Sequence, residues 1–146
     1  GETGTANVIY SNWITAGSYT GTGSNYSYVT KTANKITNEI MDRGVVLAYM
    51  KFNGGVVPLP YTDNLAPGIS AFWGYDIPQA KKIRFSATTS DGSGFSPSAS
   101  NKYRYVIIPG GVNTGFELTT TTKGGMEKEL KSMSYEEVCA HFNIPE

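Results

Sequence analysis

The sequence predicts a mainly β chain, folded as an antiparallel, jelly-roll-like β-sandwich with two or three short helices, one near 34–43 and one or two at the C-terminus. Three observations predict it. Ten Tyr, six Phe and two Trp, with 17 Gly and only 16% charged residues, describe an aromatic, turn-rich chain, the composition of strands joined by tight turns. Apolar residues recur at period two through the middle of the chain. Helical spacing is confined to the two regions named. With about 100–200 residues per domain as the norm, the 146 residues read as one β-sandwich domain over 7–146, preceded by a stem remnant or cloning scar at 1–6.

Residues 7–14, NVIYSNWI, place Val8 and Tyr10 on one side of an extended chain and Ile9 and Trp13 on the other, which predicts a first strand. AGSYTGTGSNYS at 16–27 carries the Gly/Ser punctuation of a loop, and a short second strand is expected from Tyr28. Asn34 opens a helix in NKITNEIMDRG, where Ile36 and Ile40 are four apart and Gly44 ends the run as a left-handed cap. A helix of about two turns is marginal alone, so its Ile36/Ile40 face must pack over an open end of the β core.

VVLAYMKF at 45–52 and VVPL at 56–59 flank Asn53-Gly54-Gly55, the signature of an antiparallel hairpin with room for a bulge at Gly55. Pro58 and Pro60 have no amide N–H, so the returning strand is expected to be short or at a sheet edge. DNLAPG reads as a turn. Beyond it Ile69, Ala71, Trp73 and Tyr75 alternate with Phe72, and Ile83, Phe85 and Ala87 alternate with Lys82, Arg84 and Ser86, so one face of the latter strand meets solvent. The Gly/Ser-rich stretch DGSGFSPSASNK predicts a long hairpin or a crossing between sheets before YRYVIIPGG, where Tyr103, Tyr105 and Ile107 oppose Arg104, Val106 and Ile108. Met126, Leu130 and Met133 keep helical spacing, and Ser134 with Glu137 forms a capping box for a last helix that ends before Pro145.

Composition and motifs exclude most chemistry. Lys plus Arg and Asp plus Glu are both 12, which removes the basic footprint of a nucleic-acid or anionic-membrane partner. No run approaches the roughly 20 apolar residues of a membrane span. One Cys and one His supply neither a disulfide nor a zinc site. Cys139 reads as a small buried thiol, and His141, two residues along a helix, points away from it, so the two do not form a catalytic dyad. No nucleophile elbow, P-loop or dinucleotide fingerprint is present. DGSG at 91–94 lacks the remaining acidic positions of a calcium loop, and Glu39, Asp42, Asp63, Asp76, Asp91 and their like sit in turns and caps. The expectation is a protein that is not an enzyme and needs no cofactor and no metal.

The aromatic surplus is the one enrichment that points to binding. Tyr and Trp stack on the apolar faces of sugar rings while presenting an OH or NH at the rim. Trp73 with Tyr75, and Tyr103 with Tyr105, are two apart on expected strands, so each pair shares a face. These four are the candidate ligand-binding residues.

GTANVIYSNWIT, ITNEIMDRGVVLAYMKF, VVPLPYT, KIRFSATT, YRYVIIPGG and YEEVCAHFNIPE together resemble a family of secreted proteins and lipoproteins of Bacteroidetes, over nearly the whole chain. In that family a lipidated Cys and a collagen-like Gly-X-Y stem commonly precede the domain, and GETGTA is similar to the tail of such a stem. ELTTTTKGGMEKEL looks like an insertion relative to that pattern. The resemblance implies an extracellular or cell-surface location, with a tethered lipoprotein suspected, and a homotrimer, since collagen-like stems trimerise. It transfers no catalytic residue. Two functions are therefore expected: a non-catalytic head domain for adhesion or homo-oligomeric assembly, with a surface protein or an identical chain as partner, or a glycan-binding module that uses exposed aromatics.

Overall fold

The computed structural model describes residues 2–3, 7–21, 25–93, 96–110 and 123–146. Among these residues one antiparallel sheet runs in the order β1 (Glu2–Thr3), β2 (Ile9–Tyr10), β10 (Lys102–Ile108), β5 (Val45–Phe52) and β6 (Gly55–Pro58), with β3 (Ile14–Thr15) also pairing β10. The other runs β4 (Tyr26–Thr32), β9 (Lys82–Thr89), β8 (Ile69–Asp76) and β7 (Tyr61–Ala66). β2 and β3 meet β10 while β4 meets β9, so the first strands pair with the last in nested order, the wrapping of a jelly-roll-like sandwich.

Period-two patterning places the core. Val29, Ala71, Trp73, Ile83, Phe85 and Ala87 of the four-stranded sheet face Ala48, Met50, Tyr103, Tyr105 and Ile107 of the six-stranded one, all within one buried cluster. Helices α2 (Lys123–Lys131) and α3 (Tyr135–Phe142) cover the opposite face of the six-stranded sheet, where Met126, Leu130, Val138, Cys139 and Phe142 pack against Val45, Leu47, Tyr49, Val106 and Ile108. β5 and β10 are thus central strands with apolar residues on both sides, whereas β9 buries every second residue.

One charge lies under the helices. Arg104 is 5% exposed, its Nη1 donating to the Tyr135 hydroxyl at 2.9 Å and to the Pro145 carbonyl at 2.5 Å. Its guanidinium stands 5.4 Å from the Tyr10 ring and 5.1 Å from the Trp13 ring. Among the described residues, carbonyl oxygen, a tyrosine hydroxyl and aromatic quadrupoles take the place of a counter-ion.

Several expectations are refined. The first strand divides into β2 and β3, because the Tyr105 amide donates to Ser11 Oγ at 3.0 Å in place of a main-chain acceptor. β4 starts at Tyr26, two residues earlier than expected. Helix α1 (Asn38–Arg43) starts four residues later than the sequence suggested, because the Thr37 hydroxyl, not Asn34, caps it by accepting from the Ile40 amide. Gly44 ends α1 with φ −89 and ψ −177, extended and not left-handed. Glycine is needed there for space, since a Cβ would come within 2.9 Å of the Ile108 carbonyl oxygen. The turn expected over DNLAPG narrows to Pro67-Gly68, with Gly68 at φ 77: β7 continues to Ala66, and pairing with β8 outweighs the low strand propensity of Asp and Asn.

The β5–β6 hairpin forms as expected, with Phe52 opposite Gly55. Asn53 (φ 49) and Gly54 (φ 81) make the two-residue turn, so no bulge is inserted at Gly55. β6, carrying Pro58, is short and lies at the sheet edge. The long connection before β10 is a crossing between sheets. α3 carries the capping box of Ser134 and Glu137, and Cys139 on it is 2% exposed. The expected Thr run at 119–122, and residues 1 and 4–6 of the stem-like segment, lie outside the described residues. No helix among the described residues is long and apolar enough to cross a membrane.

Candidate functional site

The four aromatics singled out in the sequence do not form an exposed row. Trp73, Tyr103 and Tyr105 are 6%, 1% and 7% exposed and belong to the inter-sheet core. The physical reason is register: Trp73 pairs with Ala87, and Tyr103 and Tyr105 pair with Met50 and Ala48, all on inner faces. Tyr103 donates to or accepts from the Tyr19 hydroxyl at 2.6 Å, and burial raises the pKa of both phenols, that of Tyr103 strongly.

Tyr75 is half-buried at the end of β8. Its hydroxyl donates to the Val46 carbonyl at 2.6 Å, tying the two sheets together, and burial raises its pKa against the pull of Lys131. It borders a cleft of about 260 Å³ floored by Ile40, Met41, Val46 and Ile77, with Lys123, Glu127 and Lys131 of α2 opposite. Its charged groups already have partners, Asp76 with Arg84 on the outer face among them. Lys131 pairs with Glu127 at 2.8 Å with its ammonium 5.1 Å from the Tyr75 ring, and Lys123 donates to the Gly44 carbonyl.

The outer face of the four-stranded sheet is different. Alternation puts Phe72 and Gly74 of β8, Arg84, Ser86 and Thr88 of β9, and Tyr26, Tyr28 and Thr30 of β4 on the side away from the core. Ladder pairing then orders them in rows. Thr62, Phe72, Thr88 and Tyr26 face one another across four strands; Gly74, Ser86 and Tyr28 form the next row; Asp76, Arg84 and Thr30 form the third. Phe72 is 43% and Tyr26 38% exposed, on strands about 10 Å apart, two strand spacings, either side of the small side chain of Thr88. The Tyr26 and Tyr28 rings lie 5.4 Å apart, tilted by 34°.

Small residues keep this floor low. At Gly74 an added Cβ would stand 3.7 Å from Ser86 Oγ, ordinary contact, so packing does not require a glycine there. The hydroxyls of Tyr28, Thr30, Ser86 and Thr88 make no hydrogen bond to any described residue. Arg84 closes the platform, with Nε and Nη2 donating to Asp76 at 2.8 and 2.5 Å and its guanidinium carbon 5.8 Å from the Tyr28 ring.

Compared with known protein families, curated proteins and solved structures, the chain matches none.

Sequence reasoning missed Tyr26, Tyr28 and Phe72, although the signal was present. Phe72 stands alone against Ala71 and Trp73, and the Lys82/Arg84/Ser86 face of the neighbouring strand is polar and therefore outward. Among the described residues no three His, Cys, Asp or Glu side chains gather as metal ligands. Cys139 is buried and His141 exposed, so the two occupy different sides of α3. Burial lifts the Cys139 thiol above its ordinary pKa.

Proposed function

We propose that the protein is a non-catalytic cell-surface or secreted domain that mediates adhesion by binding carbohydrate on the outer face of its four-stranded sheet. One observation carries the reading: Tyr26, Tyr28 and Phe72 stand on that face around a floor of Gly74, Ser86 and Thr88. A pyranose presents patches of C–H to an aromatic ring and hydroxyls at its rim, and an open face of rings and unengaged hydroxyls complements both. The location outside the cell rests on the resemblance to secreted proteins and lipoproteins of Bacteroidetes and on the aromatic, turn-rich, weakly charged composition.

A glycan array tests the proposal. The wild type is expected to bind a set of glycans that Phe72→Ala and Tyr28→Ala each lose, with unchanged thermal unfolding. Retention of the same glycans by both variants would refute it.

A second reading, homo-oligomeric assembly, is favoured by β7. This edge strand has β8 on one side only among the described residues, and it carries Leu65 at 45% exposure, an open edge of the kind that pairs with another chain. The resemblance to heads of collagen-like stems makes a homotrimer the expected assembly. Sedimentation equilibrium showing a trimer that Leu65→Lys dissociates would support it, and a monomer at all concentrations would refute it.

A further inference from the structure

We propose that the Arg84–Asp76 pair is the hydroxyl-reading end of the platform, and that it makes the ligand a neutral glycan with a free vicinal diol. The inference rests on the outer face being a carbohydrate platform, and adds which sugars that platform takes.

Register fixes the pair. Asp76 and Arg84 are directly opposite on β8 and β9, and Thr30 of β4 is opposite Arg84 on its other side. Both partners are open to solvent, with side-chain exposures of 31% for Arg84 and 49% for Asp76. A guanidinium has five N–H donors and a carboxylate about four lone-pair sites. The fork from Nε and Nη2 to the two carboxylate oxygens uses two of each, and Arg84 makes no other hydrogen bond to a described residue. What remains is a planar array of donors beside acceptors, held rigid by the bidentate geometry. Hydroxyls on adjacent ring carbons are donors and acceptors at once, so a vicinal diol can give to Asp76 and receive from Arg84 together. The guanidinium lies over the neighbouring Tyr28 ring, which joins the pair to the aromatic part of the platform.

Charge decides against an acidic sugar. Arg84 is already neutralised by Asp76, so a uronate brought to the fork meets the Asp76 carboxylate with no unshared cation between them. Lys82, the next outward residue on β9, keeps its charge but is held by Thr32 Oγ1 at 3.2 Å on the β4 side of β9, away from Asp76 on β8.

Affinity electrophoresis in gels containing galactomannan, mixed-linkage β-glucan, dextran or polygalacturonate tests the inference, using wild type, Asp76→Asn, Arg84→Gln and Phe72→Ala. At least one neutral polymer is expected to retard the wild type, polygalacturonate is not, and mild periodate oxidation of the retarding polymer, which cleaves vicinal diols, is expected to abolish retardation. Asp76→Asn and Arg84→Gln are each expected to weaken binding about tenfold or more, the loss of hydrogen bonds to charged groups. If Phe72→Ala abolishes binding while both pair variants bind as wild type, the pair is not part of the site and the inference falls while the platform stands. Preferential binding of polygalacturonate also overturns it. If no polymer retards the wild type, the platform reading falls and the inference with it.

Discussion

The ring of Tyr103 lies flat on that of Phe85, with centroids 4.2 Å apart and planes 10° from parallel. Tyr103 belongs to the six-stranded sheet and Phe85 to the four-stranded one, so this stack is a rivet through the sandwich. Both side chains are fully buried. Phe85→Ala is expected to cost about 3–5 kcal/mol in chemical denaturation, removing a large buried side chain and leaving a cavity. Tyr103→Phe keeps the stack and removes only the hydroxyl that pairs with Tyr19, whose own hydroxyl keeps Asn101 Nδ2 at 3.4 Å, so about 1 kcal/mol is expected. A smaller loss for Phe85→Ala than for Tyr103→Phe would contradict this account of the core.

High pH tests the same core from another direction. Burial pushes the phenols of Tyr49, Tyr103 and Tyr135 far above their ordinary value. For a group whose folded pKa is raised, the stability it contributes is complete below the unfolded pKa, near 10 for tyrosine, and is lost as pH climbs past it. Unfolding and a jump in tyrosinate absorbance are therefore expected together above about pH 10. Gradual ionisation of these three residues with the fold intact would count against their burial.

Glycine substitutions separate two physical roles. Gly54→Ala places a Cβ in open space but at φ +81, so strain alone is expected to cost about 1–2 kcal/mol. Gly74 sits in a strand at ordinary φ with room for a methyl group, so Gly74→Ala is expected to raise stability by about 0.5–1 kcal/mol. Gly74→Trp fills the platform floor, and its expected result is a folded protein that no longer binds glycan. Thermal unfolding and array binding measured side by side check both.

The thiol of Cys139 is expected to react slowly with a thiol reagent in the native protein, since burial disfavours the thiolate. Cys139→Ala should cost about 1–2 kcal/mol by lost packing under the helices and leave binding untouched. Labelling of the native protein as fast as of the unfolded chain would contradict that placement.

How far the sequence carried the fold depended on whether the signal was local. The Asn53-Gly54 turn, the capping box at Ser134 and the one-sided alternation of Ile83, Phe85 and Ala87 are each written within a few residues, and each matches the structure. The outward face of the four-stranded sheet was not local. On β8 the alternation separates Trp73 from Phe72, but only the register against β9, which sets Trp73 beside Ala87 and Phe72 beside Thr88, says which side is core. Tyr103 and Tyr105 misled for a related reason. β10 is apolar on both faces because helices cover one and a sheet the other, so its alternation carries no mark of inside or outside.

The most direct measurement is a map of backbone amide chemical shifts during titration with a glycan that the array identifies. Perturbations are expected at Tyr26, Tyr28, Phe72, Gly74, Ser86 and Thr88, clustered on the outer face of the four-stranded sheet. Perturbations confined to the cleft beside Tyr75, or to α2 and α3, would contradict the account.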